Sequence, residues 1–142
     1  MVILISACLM GVNCRYSAQP SVMEHLDELM ERHTLIPVCP EQFGGLPTPR
    51  EPCERRNGRV YSRSGEDQTE AYERGAAEVL RLARLYHCKY AVLKERSPSC
   101  GVGAVYDGTF TGTLAGGNGV CADRLAGTGV TILGESDAAK LL

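Results

Sequence analysis

The alternation of short apolar runs with helical segments constrains the fold of this chain more than any other feature of its sequence. Residues 2–7 form an apolar run rich in β-branched side chains, which is typical of a buried strand. Similar runs follow at residues 35–38, 90–93 and 130–133. Segments with helical periodicity lie between the runs, at residues 21–32, 68–86 and 120–126. Strands that alternate with helices need crossover connections. The sequence therefore predicts an α/β fold in three layers, with a mostly parallel sheet of about four strands.

Two segments interrupt this alternation. Residues 103–114 alternate in polarity around Asp107-Gly108, which indicates a small antiparallel hairpin inserted into the domain. Residues 42–64 are rich in glycine, proline and arginine, and we expect an irregular loop there. Loops of this length in a compact domain are uncommon and often functional.

The sequence also predicts two helix starts and one buried helix face. Ser21 is a predicted N-cap, with Glu24 completing a capping box, and Ser136 is the predicted cap of a short final helix. In the longest helix, apolar residues recur at three- and four-residue steps. They predict a core-facing stripe of Tyr72, Ala76, Val79, Leu80, Ala83 and Tyr86.

The composition excludes several classes of protein. A chain of 142 residues with 44% hydrophobic and 23% charged residues is expected to fold as a single domain, residues 1–142, rather than to be disordered. No apolar run approaches the roughly 20 residues of a membrane span, and the N-terminus lacks the features of a signal peptide. The net charge of −2 disfavours a broad nucleic-acid-binding surface. We therefore expect a cytoplasmic monomer or small homo-oligomer that acts without a membrane or a nucleic acid.

Seven cysteines are an unusually high number for a protein of a reducing compartment, where disulfides are rare. None of them forms a Cys-x-x-Cys pair, which disfavours a structural zinc ribbon. Metal binding or thiol chemistry is therefore the leading interpretation. The cysteines are Cys8, Cys14, Cys39, Cys53, Cys88, Cys100 and Cys121.

Three of the cysteines follow predicted strands. Cys8 follows the first strand, Cys39 follows the second, and Cys100 lies seven residues beyond the third. Because ligand sites in open parallel sheets form at the carboxyl ends of the strands, these thiols are expected to meet at one edge. Thiolates hold zinc or iron–sulfur clusters, and a cubane cluster held by only three cysteines keeps one iron open for substrate. Cys14 is a candidate fourth ligand.

Polar residues beside these cysteines are suited to a reaction. Glu41 lies two residues after Cys39, and the hydroxyls of Ser97 and Ser99 precede Cys100. A carboxylate and hydroxyls next to a metal or thiol site are candidates for acid/base catalysis. Three further residues near strand ends are candidates for binding the substrate: Arg15, Tyr16 and Glu135.

A glycine pattern late in the chain matches a known fingerprint only in part. Gly117-x-Gly119-x-x-Ala122 fits the dinucleotide-binding pattern, but it follows a hairpin rather than the first strand of a βαβ unit. We therefore do not assign a dinucleotide site. The backbone amides there remain candidates for binding a substrate anion or carbonyl.

Four blocks of sequence, in order along nearly the whole chain, resemble domain-of-unknown-function family 523. They are Ile5-Ser-Ala-Cys-Leu-Met-Gly-Val-Asn-Cys-Arg-Tyr16, Cys39-Pro-Glu-Gln-Phe-Gly-Gly-Leu-Pro-Thr-Pro-Arg50, Lys94-Glu-Arg-Ser-Pro-Ser-Cys-Gly101 and Tyr106-Asp-Gly-Thr-Phe110. Members of this family include thiouracil desulfidases. The resemblance implies a 4Fe–4S cluster held by Cys8, Cys39 and Cys100, with the fourth iron open. It also implies that Glu41 acts as acid/base and that a serine, Ser97 or Ser99, assists it.

Two positions depart from the pattern of the family. Members often continue the first block with Asp-Gly, whereas this chain has Ser17-Ala18 and so lacks an acidic group in that loop. Cys53 stands where relatives often carry a small residue, which adds a thiol close in sequence to the predicted site.

These observations support three hypotheses. The first is an iron–sulfur-dependent desulfidase that removes sulfur from a thiolated nucleobase or similar small molecule, with water replacing the sulfur. The second is a cysteine-rich protein that binds zinc or an iron–sulfur cluster without turnover, and a filled site that includes Cys14 would favour it. The third is a metal-free thiol enzyme with Cys100 or Cys121 as nucleophile, the latter because a helix N-terminus lowers a thiol pKa.

Overall fold

The computed structural model describes residues 1–142 and consists of a central sheet, two hairpins and helices on both faces of the sheet. In chain order the strands are β1 (Val2–Ser6), β2 (Thr34–Val38), β3 (Cys53–Arg56), β4 (Arg59–Ser62), β5 (Tyr90–Leu93), β6 (Ala104–Tyr106), β7 (Leu114–Gly116) and β8 (Thr131–Gly134). The α-helices are α1 (Leu26–Arg32), α2 (Pro40–Phe43), α3 (Thr69–Leu85) and α4 (Val120–Gly127). Two 3-10 helices span Ala7–Met10 and Glu135–Leu141.

The central sheet confirms the predicted α/β class. Its four strands are all parallel and lie in the order β2-β1-β5-β8. Side chains alternate between the two faces of a strand. Ile3 and Ile5 pack with Leu29 of α1 on one face, whereas Leu4 packs with α3 and α4 on the other. The connections reverse direction between β1 and β5, which marks the switch point where open parallel sheets bind ligands.

Helix α3 buries the stripe predicted from its apolar periodicity, with one exception. Tyr72 and Val79 are among the five stripe residues that are buried in the larger core cluster. Tyr86 is half exposed, so its inclusion in the stripe was wrong. The reason is that α3 ends at Leu85, and Tyr86 no longer follows the helical spacing. No helix of the protein, α3 included, combines the length and apolar character required to cross a membrane.

The two helix starts predicted from capping residues were wrong. Helix α1 begins at Leu26, and the capping box does not form. The segment before α1 is not helical, because the N–H groups of Ser21 and Met23 bond to the 3-10 helix that follows β1. Ser136 lies inside the final 3-10 helix, and its hydroxyl bonds to the Glu95 carboxylate instead of capping. In both cases a hydrogen bond to a residue distant in sequence forms instead of the predicted helix cap.

The segment expected to be an irregular loop, residues 42–64, contains a hairpin. Strands β3 and β4 pair antiparallel around Asn57-Gly58, whose φ angles are 52° and 76°. Asn-Gly with positive φ at both positions is the most favoured two-residue hairpin turn. The turn signal was present in the sequence, but the flanking residues are mostly arginines and show no apolar alternation.

The hairpin predicted at residues 103–114 is confirmed, but its connection is longer than a tight turn. Strands β6 and β7 pair antiparallel, with Ala104 opposite Gly116 and Tyr106 opposite Leu114. A loop over residues 107–113 joins them, so Asp107-Gly108 opens the loop rather than forming a two-residue turn.

Helix α2, which carries Glu41, lies directly on α3 at two glycines. A Cβ atom on Gly75 would lie 1.7 Å from the carbonyl oxygen of Pro40. A Cβ atom on Gly44 would lie 2.0 Å from the carbonyl oxygen of Ala71. No side chain fits between the two backbones at these points. The close approach therefore sets the position of α2 at the end of β2.

Replacing Gly75 with alanine should destabilise the protein. The new methyl group would overlap a backbone carbonyl that cannot move without displacing α2, so we expect a loss of about 1–3 kcal/mol in the free energy of unfolding. Gly127, also in a helix, faces open space, and Gly127→Ala should be neutral or slightly stabilising. Urea unfolding of both variants measures the difference. Equal stabilities would contradict the backbone contact between α2 and α3.

Candidate functional site

A cavity of about 580 Å³ lies at the carboxyl ends of the parallel strands. Each strand contributes to its wall. Ser6 ends β1, Val38 ends β2, Lys94 follows β5 and Glu135 follows β8. Residues of both hairpins form another part of the wall. This is the edge at which the sequence predicted a site.

Most of the cysteines meet in this cavity. Five of the seven line it: Cys8, Cys14, Cys39, Cys53 and Cys100. Cys88 and Cys121 are buried outside it. All seven are free thiols. No three cysteine, histidine, aspartate or glutamate side chains are arranged to hold a single metal ion.

The cavity thiols differ in how readily they ionise. Burial raises the pKa of Cys8 to about 11 and the pKa of Cys100 to about 12. The neighbouring Cys14 thiol lowers the pKa of Cys39 to about 7, and the interaction with Cys39 raises the pKa of Cys14. Cys39 is therefore the thiol most easily ionised at neutral pH. Because metals bind the thiolate form, a metal bound by Cys8 or Cys100 must displace a proton.

Cys121 is not a reactive thiol at a helix N-terminus. It is fully buried in α4, outside the cavity, and burial raises its pKa well above the ordinary value. The pKa of Cys100 is also raised, and no histidine lines the cavity to act as its base. The structure therefore does not support the hypothesis of a metal-free thiol enzyme.

Glu41 is held from two sides by an arginine and a serine. Arg50 Nε donates to Glu41 Oε1 at 3.0 Å, and a terminal guanidinium nitrogen lies 3.0 Å from the same oxygen. Ser99 Oγ donates to the other carboxylate oxygen, Oε2, at 2.8 Å. The side chains of Arg50 and Glu41 are only 7% and 13% exposed, so water competes little with this ion pair. Charge-assisted hydrogen bonds in such surroundings orient a carboxylate strongly.

Arg50 also joins two loops beside Glu41, its own and the one that contains Cys14 and Tyr16. Its guanidinium donates to the carbonyl oxygen of Cys14 at 3.0 Å and to that of Pro47 at 2.9 Å. A further hydrogen bond of 2.9 Å reaches Thr48 Oγ1. The backbone N–H of Arg50 donates to the carbonyl oxygen of Tyr16 at 2.9 Å. The Arg50 side chain thus connects the loop that follows Cys8 to Glu41, the candidate acid/base.

The serine-rich turn after β5 is bonded internally and to Glu41. Ser97 Oγ accepts hydrogen bonds from the N–H groups of Ser99 at 3.2 Å and Cys100 at 3.1 Å. The hydroxyl oxygens of Ser97 and Ser99 are 3.0 Å apart. Ser97, Ser99 and Glu41 therefore form a continuous chain of polar groups. Ser99 is buried, whereas Ser97 is half-buried at the cavity wall.

The N-terminus of α4 holds this turn and is not free to bind a ligand. Three N–H groups there donate to three carbonyl oxygens of the turn, at 2.8, 2.9 and 2.8 Å: Gly119 to Gly101, Val120 to Pro98, and Cys121 to Ser99. A Cβ atom on Gly119 would lie 2.4 Å from the carbonyl carbon of Ser99, so the contact requires glycine. These amides were candidates for binding a substrate anion or carbonyl, but they already donate to the turn.

The candidate substrate-binding residues line the cavity but differ in their contacts. The Arg15 guanidinium lies over the Tyr16 ring, 5.6 Å from its centre. Glu135 accepts hydrogen bonds from Lys94 Nζ at 2.9 Å and from the N–H of Glu95 at 3.1 Å. Glu135 is therefore already hydrogen-bonded within the protein, whereas the side chains of Arg15 and Tyr16 contact each other but form no hydrogen bond or salt bridge.

The sequence profile of the 2-thiouracil desulfurase family matches residues 3–137, which include every part of the cavity wall described above. This chain belongs to the 2-thiouracil desulfurase family. The resemblance to domain-of-unknown-function family 523 is thereby confirmed.

Two similar proteins cover nearly the whole length of this 2-thiouracil desulfurase family member. A solved structure, described as a 4Fe-4S-dependent thiouracil desulfidase, TudS, is 40% identical and has a TM-score of 0.92, covering 98% of this chain and 93% of its own. The uncharacterized protein YbbK of Bacillus subtilis (strain 168) is 38% identical over 150 residues, covering 99% of each chain.

Sequence reasoning did not select two charged residues that line this cavity, Arg50 and Lys94. Arg50 ends the second block that resembles the family and Lys94 begins the third, and their place in these blocks was the only signal in the sequence. Periodicity could not reveal them. Their carboxylate partners, Glu41 and Glu135, lie 9 and 41 residues away, and only the folded chain brings each pair together.

The two departures from the desulfurase family pattern have structural consequences. Ala18 has a φ of 57°, in the left-handed region that favours glycine, so the loop keeps a glycine-type backbone without a glycine. Cys53 lines the cavity and adds a thiol to it. Burial raises the pKa of Cys53, so it remains a neutral thiol at pH 7.

Proposed function

We propose that this chain is a 4Fe–4S-dependent desulfidase that removes sulfur from a thiolated nucleobase or a similar small molecule. One observation carries the proposal: the thiols of Cys8, Cys39 and Cys100 share a cavity with the hydrogen-bonded pair of Glu41 and Ser99. Membership of the 2-thiouracil desulfurase family and the similarity to a 4Fe-4S-dependent thiouracil desulfidase support it.

The donor set of the cavity suits an iron–sulfur cluster. Thiolates are the ligands these clusters take, and a cavity of about 580 Å³ has room for a cluster beside a small substrate. Cys8, Cys39 and Cys100 would hold the cluster. Bound by three thiolates, the cluster would supply one iron without a protein ligand, which would act as a Lewis acid towards the substrate sulfur. We propose that Cys14 is only a second-line ligand, because its carbonyl oxygen accepts a hydrogen bond from Cys39 Sγ at 3.7 Å and its thiol lowers the pKa of Cys39.

The proposed reaction is a hydrolysis without net oxidation or reduction. Water attacks the carbon, the C=S bond is replaced by C=O, and the sulfur leaves with two protons as hydrogen sulfide. Glu41 accepts a proton from the attacking water, and Arg50 keeps the carboxylate oriented. The hydroxyls of Ser97 and Ser99 connect Glu41 to the cavity and carry protons towards the leaving sulfur.

The cavity wall and the composition support our proposals for the substrate contacts and the cellular location. Arg15 and Tyr16 are the proposed substrate contacts, because both line the cavity and neither side chain is hydrogen-bonded within the protein. Glu135 would act through Lys94, to which it is bonded. The seven free thiols suit the cytoplasm, where disulfides are rare. We propose that the enzyme works there on a free small molecule, without nucleic acid, as a monomer or small homo-oligomer.

Metal analysis and a sulfide-release assay test this proposal directly. In protein purified and reconstituted without oxygen, we expect about four irons and four acid-labile sulfides per chain. The same protein should convert 2-thiouracil to uracil and sulfide. Stoichiometric zinc with no capacity for iron and sulfide would instead favour a metal-binding protein without turnover. A full cluster with no sulfide release would contradict the reaction but not the cofactor.

A further inference from the structure

Phe110, in the loop between β6 and β7, has a backbone conformation that a bulky residue rarely adopts. Its φ is 57°, in the left-handed region where glycine and asparagine are favoured. Phe110 also lines the cavity. A residue in such a conformation persists only when the surrounding structure holds it there, and such residues concentrate at functional sites.

The carboxylate of Glu54 in β3 holds Phe110 in place. Glu54 Oε1 accepts hydrogen bonds from the N–H groups of Gly108 and Phe110, both at 3.0 Å. Glu54 is only 9% exposed and forms no salt bridge. Burying a carboxylate is costly unless it is hydrogen-bonded. A buried carboxylate whose partners are two amides of one loop therefore serves to fix that loop.

Two arginines complete the contacts of the loop. Gly108 packs on Arg56, since a Cβ atom on Gly108 would lie 2.6 Å from the Arg56 Cβ. The Arg63 guanidinium lies over the Phe110 ring, 5.9 Å from its centre, and also lines the cavity. Glu54 thus fixes the backbone of Phe110, and the Arg63 guanidinium covers part of the Phe110 ring.

We propose that Phe110 is the stacking surface for the planar ring of the substrate, with Glu54 as the residue that positions it. The inference rests on the proposed desulfidase function. Glu41 and the cavity thiols act on the C=S group, which a nucleobase shares with any open-chain thioamide. A fixed aromatic ring distinguishes the two, because a planar heterocycle stacks on it and an open-chain compound does not. Phe110 would therefore determine the preference for heterocyclic substrates.

Substitutions of Phe110 test whether its ring contributes to substrate binding without contributing to the rate of the chemical step. We expect Phe110→Leu in the cluster-loaded enzyme to weaken uracil binding and to raise KM for 2-thiouracil, each about tenfold, with kcat within about twofold of wild type. KM for thioacetamide, which carries the same C=S group without a ring, should not change. Phe110→Tyr keeps the ring and should match wild type within about twofold. Uracil binding is measured by titration calorimetry.

The Glu54 variants test the positioning role. Glu54→Gln retains an oxygen that accepts from both amides and should bind uracil like wild type. Glu54→Ala releases the loop and should bind uracil as weakly as Phe110→Leu does. Thermal unfolding and iron content establish that each variant is folded and loaded. If Phe110→Leu does not fold, Phe110→Ala removes the ring without adding a branched side chain and repeats the comparison.

Three results would overturn the inference. One is unchanged uracil binding after loss of the ring. Another is an equal effect on thioacetamide, which would mean a general disturbance of the cavity. The third is a wild-type enzyme that binds neither uracil nor 2-thiouracil. Because uracil binding needs no turnover, a wild-type enzyme that binds uracil but releases no sulfide would count against the desulfidase function and leave the stacking role standing.

Discussion

Each of the variants Cys8→Ala, Cys39→Ala and Cys100→Ala is expected to lose the iron–sulfur cluster and with it all measurable sulfide release. The proposed site has only three protein ligands, so removal of one leaves two thiolates to hold the whole cluster. Iron content after anaerobic reconstitution should fall from about four to less than about one per chain. Iron and acid-labile sulfide analysis, with the visible absorption of the cluster, measures the loss.

Two other cysteines provide matched controls. Cys88 is buried like Cys8 and Cys100 but lies outside the cavity, so Cys88→Ala should retain full iron content. Cys14→Ala should also retain most of its iron, because Cys14 is proposed to support Cys39 rather than to bind iron. Loss of iron in Cys14→Ala equal to that in Cys8→Ala would make Cys14 a ligand. Full iron content in Cys8→Ala would refute the proposed ligand set.

Glu41→Gln is expected to lower kcat for 2-thiouracil by roughly two to four decades, the usual effect of losing an acid/base group. Glutamine fills the same space and retains an oxygen for Ser99, but it cannot accept a proton from water. The variant should also be less stable, because Arg50 then keeps a buried charge without its partner. Sulfide release at saturating substrate measures the rate, and iron analysis shows whether the cluster remains.

Glu78, an exposed carboxylate on α3, provides the control for this prediction. Glu78→Gln removes the same charge far from the cavity and should leave kcat unchanged. An unaltered kcat in Glu41→Gln would exclude Glu41 from the chemistry. Loss of the cluster in Glu41→Gln would instead mean that the carboxylate supports the metal site.

Much of the fold was predictable because it follows from local patterns. The apolar runs that became β1, β2, β5 and β8 are short and bounded by polar residues, and their spacing requires crossover helices. The helix that became α3 was visible from its repeat. The errors have two causes. Distant contacts override the local capping signals of Ser21 and Ser136, whereas arginine-rich flanks mask the hairpin signal at Asn57.

The sequence alone determined where the thiols meet. Cys8 and Cys39 follow strands that apolar periodicity identifies, and Cys100 follows a third. Parallel strands place their carboxyl ends at one edge of the sheet. That conclusion needs only strand positions and one topological rule, so it does not depend on the details of the loops.

Only the tertiary structure decided which polar groups touch within the site. The contacts of Glu41 with Arg50 and Ser99, and of Glu54 with Phe110, join residues 9, 58 and 56 positions apart. A hydrogen bond requires its two atoms to lie about 3 Å apart in a suitable direction. Loop conformation sets that geometry, and no local pattern in the sequence encodes it.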